Sequence, residues 1–244
     1  MRAPLLLALG LLCACASSPS GKVAAPEQSR NRDQQELQAR LQDATRLVDR
    51  LGDRVPPKLA ERAQCAVILP AALRGAVLIG ARHGRGFAVC RAGGGLSAPA
   101  PVIMSGGSAG LQLGIESVDW LLLVVRDEGR KALANGKLSL GVGVSATAGP
   151  VGAGKEAATD GGLRAEVLTY SHSRGLFAGA ELSGAVLEQD LEATQLLYGS
   201  RPTLQRILNG EVAVPELASD FVGTLALGLA NQTATANDSP WRIQ

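Results

Sequence analysis

The stretch that most restricts what this chain can become is the run from Leu138 to Ala148. Leu138, Leu140, Val142, Val144, Ala146 and Ala148 point one way, and Ser139, Gly141, Gly143, Ser145 and Thr147 point the other. A period of two predicts a strand with one buried face and one small or polar face. A Gly-rich loop over 149–162 follows, then two further strand-like runs, Leu163–Ser171 and Gly175–Leu187, joined at His172-Ser173-Arg174. The expected unit is an antiparallel meander, whose small residues suit a tightly curved sheet.

Helical patterning flanks this unit. Between Ser29 and Leu51, apolar residues recur at three and four (Leu37, Leu41, Ala44, Leu47, Val48, Leu51). The remaining face mixes Arg40, Arg46 and Arg50 with Glu36, Asp43 and Asp49. Balanced charge favours a core-packing helix over a basic membrane-surface one. Pro56-Pro57 stops it, and Lys58–Gln64 reads as a further short helix. Short strands are expected at Cys65–Leu69, Gly75–Ala81 and Gly86–Arg91, with Arg82-His83-Gly84-Arg85 as a hairpin tip. Gln112–Ile115 and Val118–Val125 come next, and Leu121 to Val125, apolar on both faces, should be a buried central strand. Later helices are expected at Asp127–Leu133, after Asp190 as a cap through Tyr198, at Pro202–Leu208 and over Pro215–Ala230. In the last of these Leu217, Phe221, Leu225 and Leu229 share a face. The fold class is α+β, a strongly curved or barrel-like antiparallel sheet packed by N- and C-terminal helices. The expected domain spans 29–230, with a polar tail over 231–244.

Several segments resemble one family, in order. Ala66-Val67-Ile68-Leu69-Pro70, Ala81-Arg82-His83-Gly84-Arg85-Gly86, Ser97-Ala98-Pro99-Ala100 and the Gly-rich 106–114 lead in. Leu163-Arg164-Ala165-Glu166-Val167-Leu168-Thr169-Tyr170-Ser171-His172-Ser173-Arg174-Gly175 and Gly184-Ala185-Val186-Leu187-Glu188-Gln189-Asp190 follow. Together they resemble the SYLF domain over about Leu59 to Tyr198, with Leu96 where many relatives carry Trp. The resemblance implies a lipid-binding, non-enzymatic domain. Eukaryotic SYLF proteins bind acidic phospholipids including phosphoinositides, and some bind actin. Bacterial relatives are typically secreted or lipid-anchored.

The N-terminus fits the bacterial group. Arg2 precedes the apolar run Leu5–Leu12, too short to span a bilayer, so 1–15 reads as a signal peptide. Leu12-Cys13-Ala14-Cys15 resembles a lipobox, with Cys15 as the lipidated residue; an ordinary cut at Ala14-Cys15-Ala16 is the alternative. Three acyl chains would hold the protein to the membrane essentially permanently. Ala16 in place of an inner-membrane retention Asp favours the outer membrane, facing the periplasm, and 16–28 is a flexible tether. In that setting actin is not an expected partner, and an envelope protein is the rival to membrane phospholipid.

Cys65 and Cys90 are the other thiols. In a simple meander their strands would lie about 9.5 Å apart, beyond bridging distance. A disulfide requires the two segments to pair directly or meet at a bend, and both a bridge and buried free thiols stay open.

Other chemistry is thin. A formal net charge of +2 carries no nucleic-acid signal. Two distant imidazoles, His83 and His172, supply no metal constellation, and no cofactor is implied. Gly106-Gly107-Ser108-Ala109-Gly110 matches a hydrolase elbow in letters, but a strand rather than a helix is expected after it, so the segment reads as a Gly-rich turn of the β region and Ser108 is a minor alternative. Gly149 to Glu156 nearly spells a phosphate loop, yet Glu156 stands where Ser or Thr must hold magnesium. The head-group candidates are Arg74, Arg82, Arg85, Arg91 and Lys155, cations able to meet lipid phosphates.

Overall fold

The computed structural model describes residues 26–140, 146–148, 167–174 and 184–237. Helix α1 (Pro26–Gly52) is followed by α2 (Pro57–Arg62), then by two long strands, β1 (Cys65–Ala92) and β3 (Ala100–Val124), separated by the short β2 (Gly95–Leu96). After them come α3 (Asp127–Ala134), β4 (Leu138–Ser139), β5 (Ala146–Ala148), β6 (Val167–Arg174) and β7 (Ala185–Gln189). The chain closes with α4 (Leu191–Tyr198), α5 (Leu204–Leu208), a 3-10 turn at Glu216–Ala218 and α6 (Ser219–Asn237).

β3 is the spine of a curled antiparallel half-barrel. One edge pairs with β1 almost end to end, from Cys65↔Val124 to Ala88↔Ala100. The other edge takes β6 at one end (Ser117↔Arg174 to Val124↔Val167) and β7 at the other (Val102↔Gln189 to Gly106↔Ala185). The meander expected over 138–187 is therefore corrected. Among the described residues β6 and β7 each dock on β3, β4 docks on β7, and β5 runs parallel to β6. A single long spine edge offers more pairing than successive hairpins do.

The three short strands expected between Cys65 and Arg91 are one bent strand, and the hairpin tip at 82–85 is corrected with them. Gly84, expected in that tip, and Gly86, expected to open the next strand, are both needed for closeness. A Cβ at Gly84 would stand 2.7 Å from Ala72 Cβ, and one at Gly86 would fall on the Ile68 carbonyl. β1 thus crosses over itself, its two ends in contact. Arg91 N–H donates to the Gln64 carbonyl at 2.7 Å. This bend is the arrangement under which Cys65 and Cys90 can bond, and they form a disulfide.

The sheet is buried on both sides, and residue parity decides which. Leu121 and Leu123 face the helices, as do Ile68, Phe87, Val89, Leu168 and Tyr170. Trp120, Leu122 and Val124 form the core on the other side with Val67, Leu69, Val102, Met104 and Leu187, covered by Leu133 of α3 and Leu204, Ile207 and Leu208 of α5. Leu121 to Val125 is the central buried strand that its apolar run predicts. On the helical side, the α1 stripe Leu37, Leu41, Ala44, Leu47, Val48 and Leu51 is wholly buried against Phe221 and Leu225 of α6. Burial of each larger side chain there contributes about 1.5–3 kcal/mol. This is the core-packing helix expected from its balanced charges.

α6 differs from expectation at both ends. It runs to Asn237, into the stretch read as tail, and Leu217 lies in the 3-10 turn before it, 47% exposed rather than on the packed face. Among the described residues no helix is long and apolar enough to cross a membrane.

Candidate functional site

One cleft combines depth with charge. It has a volume of about 330 Å³ and lies where the first half of α1 meets β1 and the start of α4. On α1, Asp33, Glu36, Leu37 and Arg40 follow one another at intervals of three, one and three, which places them on a single helical face. Arg85 enters from β1, Glu192 from α4, and Arg201 from the segment after that helix.

Asp190 organises the wall. Its side chain is 1% exposed, and it caps α4 by accepting the Ala193 N–H at 3.0 Å. Gly199, left-handed at φ 66°, closes the same helix. Arg85 donates to the Asp190 carboxylate through both Nε (2.8 Å) and Nη2 (3.0 Å). Such a fork is the strong form of an ion pair. Arg40 adds its charge from 3.8 Å, and Arg85 also reaches Glu192 at 3.7 Å. Burial alone would raise the Asp190 carboxyl, but the hydrogen bonds from Arg85 and Ala193 and the charges of Arg85 and Arg40 outweigh it. The carboxyl is held below the usual range. The Arg85 guanidinium is correspondingly stabilised by its bond to Asp190. Arg40 moves the other way, through burial and then repulsion from Arg85.

Among the described residues, the cations singled out in the sequence are spread along β1. Arg74 lies in β1 opposite Glu116, and Arg82 opposite Gly106 with its side chain buried. Arg91 donates to the Ala63 carbonyl (2.9 Å) and the Ala60 carbonyl (3.1 Å), closing the C-terminus of α2. Of these described candidates only Arg85 borders the cleft, with its side chain 32% exposed. Cys15 and Lys155 lie outside the described residues. Arg40, Glu36 and Glu192 were missed because each reads as an ordinary solvated charge. The available signal was the spacing of Asp33, Glu36, Leu37 and Arg40, interpretable only once Asp190 is known to sit beside it.

Ser108 is not at an elbow. It lies inside β3 opposite Gly80, so the strand-turn-helix geometry of a nucleophile is missing. His83 faces Ser105, three residues along the ladder and roughly 10 Å away. His172, in β6, stands opposite Asp119 of β3 in the strand register. The Gly-rich segment at 106–110 is strand rather than turn. At Gly106 a Cβ would approach Ala185 Cα to 2.9 Å, so closeness to β7 explains the glycine.

Residues 105–227, from near the start of β3 into α6, match the family described as Ysc84, Las17-binding protein actin regulator. Protein YSC84 of Saccharomyces cerevisiae is 34% identical over 189 residues, which is 75% of this chain and 40% of that protein. LAS seventeen-binding protein 3 of the same species is 36% identical over 166 residues, 66% of this chain and 36% of its own length. The SH3 domain-containing YSC84-like protein 1 of Bos taurus is 32% identical over 189 residues, covering 76% of this chain and 55% of that one. The chain thus spans between about a third and a little over half of the curated relatives it matches. With a curled half-barrel, its packing helices and this run of similarity all in place, the chain belongs to the Ysc84/SYLF domain family.

Proposed function

We propose that this protein is a non-catalytic lipid-binding member of the family, held at a bacterial envelope membrane through Cys15 and facing the periplasm. The observation that carries the reading is the family match itself, which runs from within the spine strand β3 through β6, β7 and α4 into α6. Two features support the placement. The leader ends in Leu12-Cys13-Ala14-Cys15, and Cys65 and Cys90, 2% and 0% exposed, are bridged. Buried structural disulfides are characteristic of oxidising compartments. The anchor supplies effective concentration, so a weak intrinsic affinity for phospholipid suffices.

Arg85 is the sequence-selected cation best placed for a head group, because it borders the cleft while Arg91 is committed to α2. A second reading comes from the family description, which names actin regulation. Both are tested with residues 16–244, a chain that retains every described element. Flotation with neutral and acidic vesicles across a salt series should show binding, with the acidic-vesicle component weakening as salt rises. Binding to no vesicle would overturn the lipid reading and favour an envelope-protein partner. Cosedimentation with filamentous actin in place of lipid would favour the actin reading.

A further inference from the structure

The cleft carries both signs of charge, paired with each other in its wall and without such pairs at its rim. Arg85 and Arg40 are turned toward buried Asp190, and Glu192 leans on Arg85. At the rim, Asp33 and Arg201 are exposed, and neither forms an ion pair with a described residue. Glu36 lies close enough for its charge to act on both Arg40 and Arg85. An anion alone would meet Asp33, Glu36 and Glu192. A cation alone would meet Arg201, Arg40 and Arg85. A ligand bearing both charges satisfies each group. We infer that the cleft between α1 and α4 binds a zwitterionic phosphate monoamine head group, its ammonium toward Asp33 and Glu36 and its phosphate toward Arg201 and Arg40.

A volume of about 330 Å³ is at the small end of ligand pockets, roughly 300–1,000 Å³, with room for a head group but not for acyl chains. An ammonium with three N–H donors suits closely spaced carboxylates, and a planar guanidinium fork suits phosphate. The inference rests on the lipid-binding reading, and the position of the cleft agrees with it. Asp33 and Glu36 sit in the first three turns of α1, and from Cys15 only the ten residues 16–25 precede that helix. Ten residues reach at most about 35 Å, so a cleft at this end of α1 stays within range of an anchored bilayer.

The test uses residues 16–244 with phosphatidylethanolamine and phosphatidylcholine vesicles carrying equal amounts of phosphatidylglycerol. Soluble glycerophosphoethanolamine and glycerophosphocholine serve as competitors. Ethanolamine vesicles should recruit more protein, and glycerophosphoethanolamine should compete at least tenfold better, because a trimethylated nitrogen has no N–H to give the carboxylates. The Asp33→Asn/Arg201→Gln variant, which changes only exposed side chains, should lose about tenfold in affinity while its circular dichroism is unchanged. Competition by the soluble head group without ethanolamine-dependent vesicle recruitment would assign the cleft to a free phosphoamine and overturn a lipid ligand there. Equal binding to both vesicle types, unaltered in the variant, would overturn the cleft site while leaving lipid binding standing. No recruitment to either vesicle would overturn both.

Discussion

Two buried aspartates receive an arginine from the same helix, and they do different things. Asp190 at the end of β7 takes Arg40 of α1, and Asp119 in β3 takes Arg50 of α1, ten residues or about 15 Å further along. Both pin α1 to the sheet. Asp190 is also forked by Arg85 and caps α4, so three elements meet on one carboxylate that is 1% exposed. Asp119 instead binds Arg50 at 2.9 Å and accepts the Ala71 N–H at 2.8 Å, where β1 bulges between Leu69 and Ala72. The side chain of Arg50 is 42% exposed. The comparison separates a charge that shapes a cleft from a charge that repairs a backbone irregularity.

The largest effect should follow Asp190→Ala. It removes the cap and strands Arg85 and Arg40 in partly buried positions, and breaking one side of a buried pair costs about 3–5 kcal/mol. Chemical denaturation should show that loss, together with exposure of α4. Asp190→Asn keeps capping ability but not charge, and it isolates the pH dependence. The folded-state carboxyl lies below its unfolded value, so its stabilisation is present above the ordinary carboxylate range, near pH 4, and disappears as pH falls through the depressed folded value. Parent protein should therefore lose more stability than Asp190→Asn between pH 5 and pH 2. Equal acid limbs would mean that the ionised carboxylate contributes no net stability.

Asp119→Ala should cost less, about 2 kcal/mol. Its ion pair with a half-exposed arginine contributes at most about 1 kcal/mol, and the remainder is the Ala71 amide left without its acceptor. For a chain of this length that is a fall in Tm of roughly 4–8 °C. The cleft should be untouched. If Asp119→Ala altered ligand binding as strongly as Asp190 substitutions do, the division between the two sites would be wrong.

The same pair shows what the sequence could and could not convey. Asp190 was legible as a helix cap, because a cap is a local pattern and Leu191 to Tyr198 follows it directly. Its partners were not, since Arg85 lies 105 residues away and pairs only after β1 folds across itself. The apolar α1 stripe and the Leu121 to Val125 strand were equally legible, being periodic and buried throughout. Gly84 and Gly106 misled for one reason. A glycine that permits a turn and one that permits close approach have the same letter, and only the crossing strand distinguishes them. The disulfide followed the same logic, with the bend as its condition and the bend unseen.

The smallest effect sharpens the comparison most. Ala71 has φ 49°, a left-handed conformation that costs a side-chain-bearing residue roughly 1–2 kcal/mol. Ala71→Gly removes that strain but gives the unfolded chain more freedom, a counter-effect of about 0.4–1 kcal/mol. The net expectation is a gain of at most about 1.6 kcal/mol, measurable as a raised denaturation midpoint at unchanged m. Asp119 is what holds the Ala71 N–H in that geometry, so the gain depends on it. In an Asp119→Ala background the bulge can relax unaided, and Ala71→Gly should then stabilise less than it does in the parent protein. A double-mutant cycle measures the difference as a coupling energy. Strict additivity would show that the bulge keeps its left-handed residue without Asp119, and that Asp119, like Asp190, serves mainly to pin α1.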